Sequence, residues 1–319
     1  MSTAKPVLLQ TTPFSFPHVV EHLAQRFEVI ELWKAADPEA LLKARGQEVL
    51  AMATSALTHT SAALIDQLPA LKVICSLGVG YDAIDVKHAQ QKGILVSNTP
   101  DVLNDCVADL AWGLILATAR QMGSAERFAR AGLWQPGDSF PLTTRVSHKK
   151  LGIVGLGRIG IAIAQRAAGF SMDIRYHNRQ QRQDVDYGYE ATLNGLARWA
   201  DFLVIATVGG DSTRHLINQD VLQALGPDGI LINIARGSVV DEQALILALQ
   251  QGQIRAAGLD VYDAEPHIPD ALKVLDNVVI LPHIASATLE TRRDMANLVI
   301  SNLDAYFSKG ALLTPIPPL

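Results

Sequence analysis

Short β-branched runs alternate with stretches of helical spacing almost from one end of the chain to the other. In the first third, Pro6–Gln10, Glu28–Leu32, Val49–Thr54, Leu71–Leu77 and Ile94–Ser97 are predicted strands, with helical spacing between them at His18–Arg26 and Ser61–Gln67. In the second part the predicted strands are Lys150–Val154, Asp173–His177, Phe202–Thr207, Ile230–Ala235, Ala257–Val261 and Val278–Leu281. Apolar strands separated by helical stretches need crossover connections. The pattern therefore predicts an α/β fold of parallel sheets covered on both faces.

Two longer helical patterns organise the chain. Asn98-Thr-Pro-Asp101 precedes an unbroken amphipathic pattern from Val102 to about Arg120; Pro100 suits the entry, and Asp101 either caps the helix or lies in its first turn. A second long helix is predicted from Ser286-Ala-Thr-Leu-Glu-Thr onward. The two bracket a central block, which predicts a discontinuous outer domain (residues 1–99 and 288–319) with a second domain (residues 100–287) inserted. A length of 319 residues suits two domains.

Composition narrows the class. Apolar residues make up 49% of the chain and charged residues 18%, enough apolar material for two cores. A net charge of -5 with scattered basic residues argues against a nucleic-acid partner, which needs concentrated Lys and Arg. No apolar run reaches membrane-spanning length and the N-terminus shows no secretory pattern, so the expected compartment is the cytosol. Two cysteines make no disulfide framework: Cys75 lies in an apolar run and reads as a small buried hydrophobe, and Cys106 falls on the helix predicted after Pro100. No metal site is read from the sequence.

The chemistry begins at Gly155-Leu-Gly157-Arg158-Ile159-Gly160. Three glycines at this spacing are weak evidence alone, but these follow a predicted strand and open the helical run Ile159–Ala168. In that setting the first glycine makes the tight turn, the second admits a pyrophosphate and the third lets helix pack on strand, with the phosphate at the helix N-terminus. The next strand ends Arg175-Tyr-His177-Asn178-Arg179, with no Asp or Glu to hold the adenosine ribose hydroxyl of NAD. A carboxylate there would repel a 2'-phosphate, whereas Arg179 can bind one, so NADP(H) is the expected cofactor and NAD(H) the alternative.

Three polar residues fall at the ends of later strands: Arg236, Glu265 and His283. In open α/β sheets ligands bind at the carboxyl ends of strands. Reduction of a 2-oxo acid needs a proton donor for the developing alkoxide, the role of His283. A carboxylate, Glu265, fixes the imidazole tautomer, and Arg236 binds and polarises the substrate.

Taken together, these stretches resemble the D-isomer-specific 2-hydroxyacid dehydrogenase family. The resemblance rests on Gly155–Gly160, Asn233-Ile-Ala-Arg-Gly-Ser238, Gly258-Leu-Asp-Val-Tyr262 continuing to Glu265-Pro266, Pro282-His283, and Ser76-Leu-Gly-Val-Gly-Tyr-Asp82. It implies two Rossmann-like, doubly wound parallel-sheet domains joined by long helices, the outer one binding substrate and the inserted one the dinucleotide. It also implies a homodimer, with Arg236, Glu265 and His283 as the catalytic set. Further cofactor contacts are expected at Thr207, Ala235 and Ser286, and at Asp260, which would hold the nicotinamide carboxamide. Backbone N–H groups around Gly78, Val79 and Gly80 would grip the substrate carboxylate, with Met52, Leu77 and Trp134 as pocket walls. Trp134 has two readings, a residue reaching the neighbouring subunit's pocket or an aromatic of the dimer core. The motif departs from many family members at Ala206-Thr-Val-Gly-Gly-Asp211, where a Pro-containing loop is common.

Within the family, Arg179 and Trp134 make the likeness strongest to the glyoxylate/hydroxypyruvate reductases. The expected activity is NADPH-dependent reduction of such a small 2-oxo acid to the D-2-hydroxy acid. A larger substrate, sugar-derived such as 2-ketogluconate or aromatic, is the alternative within the class. From a different class stands a dinucleotide-sensing corepressor, which would carry peptide-binding or disordered tails beyond the two-domain length.

Overall fold

The computed structural model describes residues 5–318; Met1–Ala4 and Leu319, which fall in the predicted outer domain, lie outside the described residues. The chain divides into two compact units, one taking the residues up to Leu103 and those from Thr288 onward, the other Asn104–Ala287.

In the first unit, β1 (Val7–Gln10), β2 (Glu28–Glu31), β3 (Val49–Ser55), β4 (Val73–Leu77) and β5 (Leu95–Ser97) form one parallel sheet in the order β2-β1-β3-β4-β5. Side chains alternate across a strand, so each strand feeds two layers. Leu9, Met52 and Ile74 pack with Ile65 and Leu68 on one face, and Leu8, Ala51 and Val73 pack with Val19, Leu23, Val299 and Leu303 on the other. The second layer comes from the helices Pro17–Arg26 and Leu289–Lys309. The long helix starts at Leu289, three residues later than its pattern predicts, because Thr288 is the cap: its side chain accepts the Thr291 N–H at 3.3 Å.

In the second unit, β6 (Lys150–Val154), β7 (Asp173–His177), β8 (Gly188–Tyr189), β9 (Phe202–Ile205), β10 (Ile230–Asn233), β11 (Ala256–Leu259) and β12 (Val278–Ile280) are all parallel. Their order is β12-β11-β10-β9-β6-β7-β8, which reverses between β6 and β9, where a crevice opens at the strands' carboxyl ends. The helix Asn104–Ala119 packs within this unit: Trp112 donates its indole N–H to the Ile163 carbonyl at 3.0 Å and stacks on Phe170 at 4.3 Å.

Three local expectations change. Asp101 does not lie in the first turn of that helix; it sits in left-handed backbone (φ 70), three positions ahead of the first helical residue, Asn104. Strands predicted to reach Thr207, Ala235 and Val261 end two residues sooner, at Ile205, Asn233 and Leu259. The apolar pattern runs on, but the ladder stops there and the backbone turns away into loops. The two-residue β8 has no signal of its own. Among the described residues no helix is long and apolar enough to cross a membrane.

Candidate active site

At the reversal point of the second sheet, the glycine loop sits between β6 and the helix Arg158–Ala167. Gly155 adopts φ 95, and a Cβ there would lie 2.7 Å from the backbone of Thr207. A Cβ on Gly160 would run into the Gly155 carbonyl oxygen, so only glycine lets the helix seat on the strand. A Cβ on Gly157 would meet nothing within 4 Å. That open cradle at a ten-residue helix's N-terminus, where first-turn amides lack intrahelical partners, fits a dinucleotide pyrophosphate. Arg158 is exposed and Ile159 half-buried at its rim.

The end of β7 is tied to this loop. Asn178 Oδ1 accepts the Leu156 N–H at 2.7 Å, and His177 Nδ1 donates to the Glu190 carbonyl at 2.9 Å. Arg182, which carried no signal beyond its charge, donates to the Leu156 carbonyl at 2.9 Å and pairs with Asp184. Arg179 stays exposed at the same strand end, one residue past Asn178.

The chemistry-bearing groups gather beyond β10, β11 and β12. Asn233 ends β10 with both halves of its amide engaged: Oδ1 accepts the Ala235 N–H at 3.1 Å and Nδ2 donates to the Arg236 carbonyl at 2.9 Å. This sharp turn buries Ala235 and leaves Arg236 half-exposed, its guanidinium donating to the Ala235 carbonyl at 2.8 Å. From the segment after β11, Glu265 Oε2 accepts from His283 Nδ1 at 2.7 Å, and Glu265 Oε1 accepts the Tyr262 N–H at 3.0 Å. The Glu265–Pro266 peptide is cis.

Burial alone would raise the Glu265 carboxyl. The hydrogen bonds from His283 and the Tyr262 amide, with the charges of His283 and Arg236, outweigh it and hold the group below its ordinary value. An ionised carboxylate only accepts, so Nδ1 carries its hydrogen and Nε2 is the ring nitrogen not engaged by Glu265.

His283 itself sits in left-handed backbone, φ 53, a conformation that L-residues other than glycine seldom adopt. Two residues absent from the expected catalytic set hold it there. Asp260 accepts the Ile284 and Ala285 N–H groups, each at 2.8 Å, and Tyr262 donates its hydroxyl to the Leu281 carbonyl at 2.9 Å. Positions on both sides of His283 are thus pinned from the loop that carries Glu265. Asp260, expected at a nicotinamide carboxamide, has no exposed surface; its carboxylate is spent on the His283 loop, and burial raises it despite the two amides.

In the first unit, Gly78-Val79-Gly80 turn immediately after β4. Gly78 has φ 141; its N–H donates to Thr99 Oγ1 at 2.9 Å, and its carbonyl accepts the Thr99 N–H at 2.8 Å. Val79 and Gly80 are half-buried, and their amide hydrogens have no partner among the described residues. Such a pair suits a carboxylate.

The expected wall residues separate. Leu77 is half-buried at the end of β4. Met52 is no wall residue: it is fully buried, because alternation on β3 turns it into the layer with Leu9 and Ile74. Trp134 lies outside any regular element and is 73% exposed. Ser286 is half-buried in the turn before the long C-terminal helix, Thr207 half-buried beside Gly155, and His267 exposed. Among the described residues no group of His, Cys, Asp and Glu could hold a metal ion.

Residues 112–285 match the family model described as "D-isomer specific 2-hydroxyacid dehydrogenase, NAD binding domain". The chain is 46% identical over 309 residues to glyoxylate/hydroxypyruvate reductase A of Arabidopsis thaliana, covering 97% of this chain and 98% of that protein. It is 43% identical over 309 residues to the hydroxyphenylpyruvate reductase of Plectranthus scutellarioides, with the same coverage. Among solved structures it is similar to an NADPH-dependent glyoxylate/hydroxypyruvate reductase from Sinorhizobium meliloti in complex with NADP and malonate. There the TM-score is 0.93 at 44% identity, covering 99% of this chain and 98% of that one.

Proposed function

The chain belongs to the D-isomer specific 2-hydroxyacid dehydrogenase family, and on that premise we propose that it reduces glyoxylate or hydroxypyruvate to the D-2-hydroxy acid with NADPH. The observation that carries the reading is the Glu265–His283 pair at 2.7 Å, held beside Arg236 at the strand ends of a dinucleotide-binding sheet. The names of the relatives from Arabidopsis thaliana and Sinorhizobium meliloti support the substrate class.

We assign the Val79 and Gly80 amides of the first unit to the substrate carboxylate; in the second unit, Arg236 suits holding and polarising a 2-oxo group. When bound, the nicotinamide cofactor supplies the hydride. As negative charge develops on the carbonyl oxygen, His283 releases the Nε2 proton to it, and the other ring hydrogen stays on Nδ1, donated to Glu265, throughout. Exposed Arg179, with no carboxylate at the end of β7, supports a 2'-phosphate there and hence NADP(H), as in the Sinorhizobium meliloti complex. NAD(H) remains the second cofactor.

A homodimer is part of this reading. The helix Met122–Arg130 buries none of its nine residues, and Met122, Leu133, Trp134 and Leu142 are exposed along it and the segment that follows. An apolar arm of this kind suits a second copy of the chain. Neither Cys75 nor Cys106 is in a disulfide among the described residues, which accords with a reducing cytosol.

The test is a spectrophotometric panel of glyoxylate, hydroxypyruvate, hydroxyphenylpyruvate and 2-ketogluconate, each with NADPH and with NADH. Glyoxylate or hydroxypyruvate with NADPH should give the highest kcat/KM. A preference for the aromatic substrate would favour the second reading, to which the Plectranthus scutellarioides relative points. His283→Gln should lower kcat by roughly 10²–10⁴-fold, the share of a general acid, and a loss under tenfold would remove His283 from the mechanism.

A further inference from the structure

The turn after β4 is aimed by residues distant in sequence. A trans peptide is planar, so its C=O and the next N–H point in opposite directions, and whatever holds the oxygen also aims the hydrogen. The Gly78 oxygen is held by the Thr99 N–H at 2.8 Å, which turns the Val79 N–H the other way. The Val79 oxygen is held by Asn98 Nδ2 at 2.7 Å, which does the same for the Gly80 N–H. Both amides assigned to the substrate carboxylate thus take their direction from the Asn98-Thr99 pair.

That pair is in turn anchored by the end of the chain. Thr314 Oγ1 donates to the Asn98 carbonyl at 2.7 Å and accepts from Asn302 Nδ2 at 3.0 Å. Asn302, fully buried on the helix Leu289–Lys309, accepts the Leu313 and Thr314 N–H groups at 2.9 and 3.0 Å and donates to the Leu298 carbonyl at 2.8 Å. All four hydrogen-bonding positions of its amide are filled. Beside it, the Ile316 N–H donates to the Val96 carbonyl at 2.8 Å, so residues 313–316 are stitched along the outer edge of β5.

We propose that Asn98 and Thr314 are positioning residues for substrate carboxylate binding, acting through the direction of the Val79–Gly80 peptide rather than by touching the substrate. The inference rests on the assignment of the Val79 and Gly80 amides to that carboxylate. Without the Asn98 amide, the Val79–Gly80 unit is at liberty to rotate, which replaces an N–H donor facing the anion with a carbonyl oxygen.

The experiment measures KM for the 2-oxo acid, and oxamate binding to the NADPH-loaded enzyme, in Asn98→Ala, Thr314→Val and Thr314→Ser. Asn98→Ala should weaken both by about tenfold to a hundredfold, the share of one hydrogen bond to a charged group, with NADPH affinity within about twofold of the parent. Thr314→Val, which keeps the shape and loses the hydroxyl, should weaken oxamate in the same direction, and Thr314→Ser, which keeps the hydroxyl, should restore it. A packing role predicts the reverse order for the two Thr314 variants and would overturn the proposal. So would unchanged oxamate binding in Thr314→Val, which decides the matter even where Asn98→Ala fails to fold. A parent enzyme that does not bind oxamate overturns the carboxylate assignment itself, whereas a parent that binds it no better than the variants overturns only the positioning roles.

Discussion

Glu265 reaches His283 across 18 positions of sequence, its Oε2 accepting from Nδ1 at 2.7 Å while its Oε1 takes the Tyr262 amide at 3.0 Å. The same carboxylate therefore orients the imidazole and closes its own loop, so its ionisation matters to stability and, in the proposed mechanism, to turnover.

The Glu265 carboxyl lies below its ordinary value of 4.5 in the folded chain, so the folded state favours the charged form. The stability this contributes is fully present above the ordinary value and is lost as pH falls from there through the depressed folded value. Urea unfolding followed from about pH 6 to about pH 3 should therefore show a steeper loss for the parent than for Glu265→Gln. Identical slopes would mean that Glu265 is uncharged or unpartnered in the native state. Glu265→Gln should also lower kcat more than the KM for the 2-oxo acid.

Replacing Asp260 by Asn keeps the shape but swaps one acceptor for a donor, leaving the Ile284 or Ala285 amide unanswered. His283 then loses part of what keeps it at φ 53, and kcat should fall by up to about 10²-fold, the effect of a small misplacement of a reacting group. Stopped-flow hydride transfer rates check this. Unchanged transfer with a raised NADPH KM would instead assign Asp260 to the cofactor.

Arg179→Ser removes the exposed guanidinium at the end of β7. The KM for NADPH should rise about tenfold to a hundredfold, as for a lost charge-assisted hydrogen bond, with the KM for NADH nearly unchanged. Equal changes for both cofactors would dissociate Arg179 from the 2'-phosphate.

Gly160→Ala forces a methyl group against the Gly155 carbonyl oxygen, so helix and strand must part. Unfolding free energy should drop by about 1–3 kcal/mol, as for overpacking elsewhere, and binding of either dinucleotide should weaken with it. Gly157→Ala meets nothing in the protein, so its stability should hold while dinucleotide binding falls. Denaturant titration and fluorescence binding separate the two.

Much of the second unit was legible beforehand because its signals are local. A strand, three glycines and a helix lie within one stretch of chain, Arg236 and His283 each follow a run of apolar residues, and Glu265 falls in the short motif Gly258–Pro266. Periodicity could not say where those runs stop being strand. Apolar residues such as Ala206, Ile234 and Val261 continue past Ile205, Asn233 and Leu259, where the ladder ends. Nor could it separate core from wall on a strand covered on both faces: Met52 and Leu77 look alike in sequence, yet one is fully buried and the other half-buried.

The sequence by itself determined the α/β class, the glycine loop and the side chains proposed for catalysis, because those depend on residue type at short spacing. The tertiary structure decided how the groups are aimed. Asp260 and Tyr262 hold the backbone on either side of His283, and Thr314 reaches Asn98 from 216 positions away. Most of these bonds involve a main-chain N–H or C=O, which every residue type but proline carries alike, so their pairing leaves no mark in the sequence until the chain is folded.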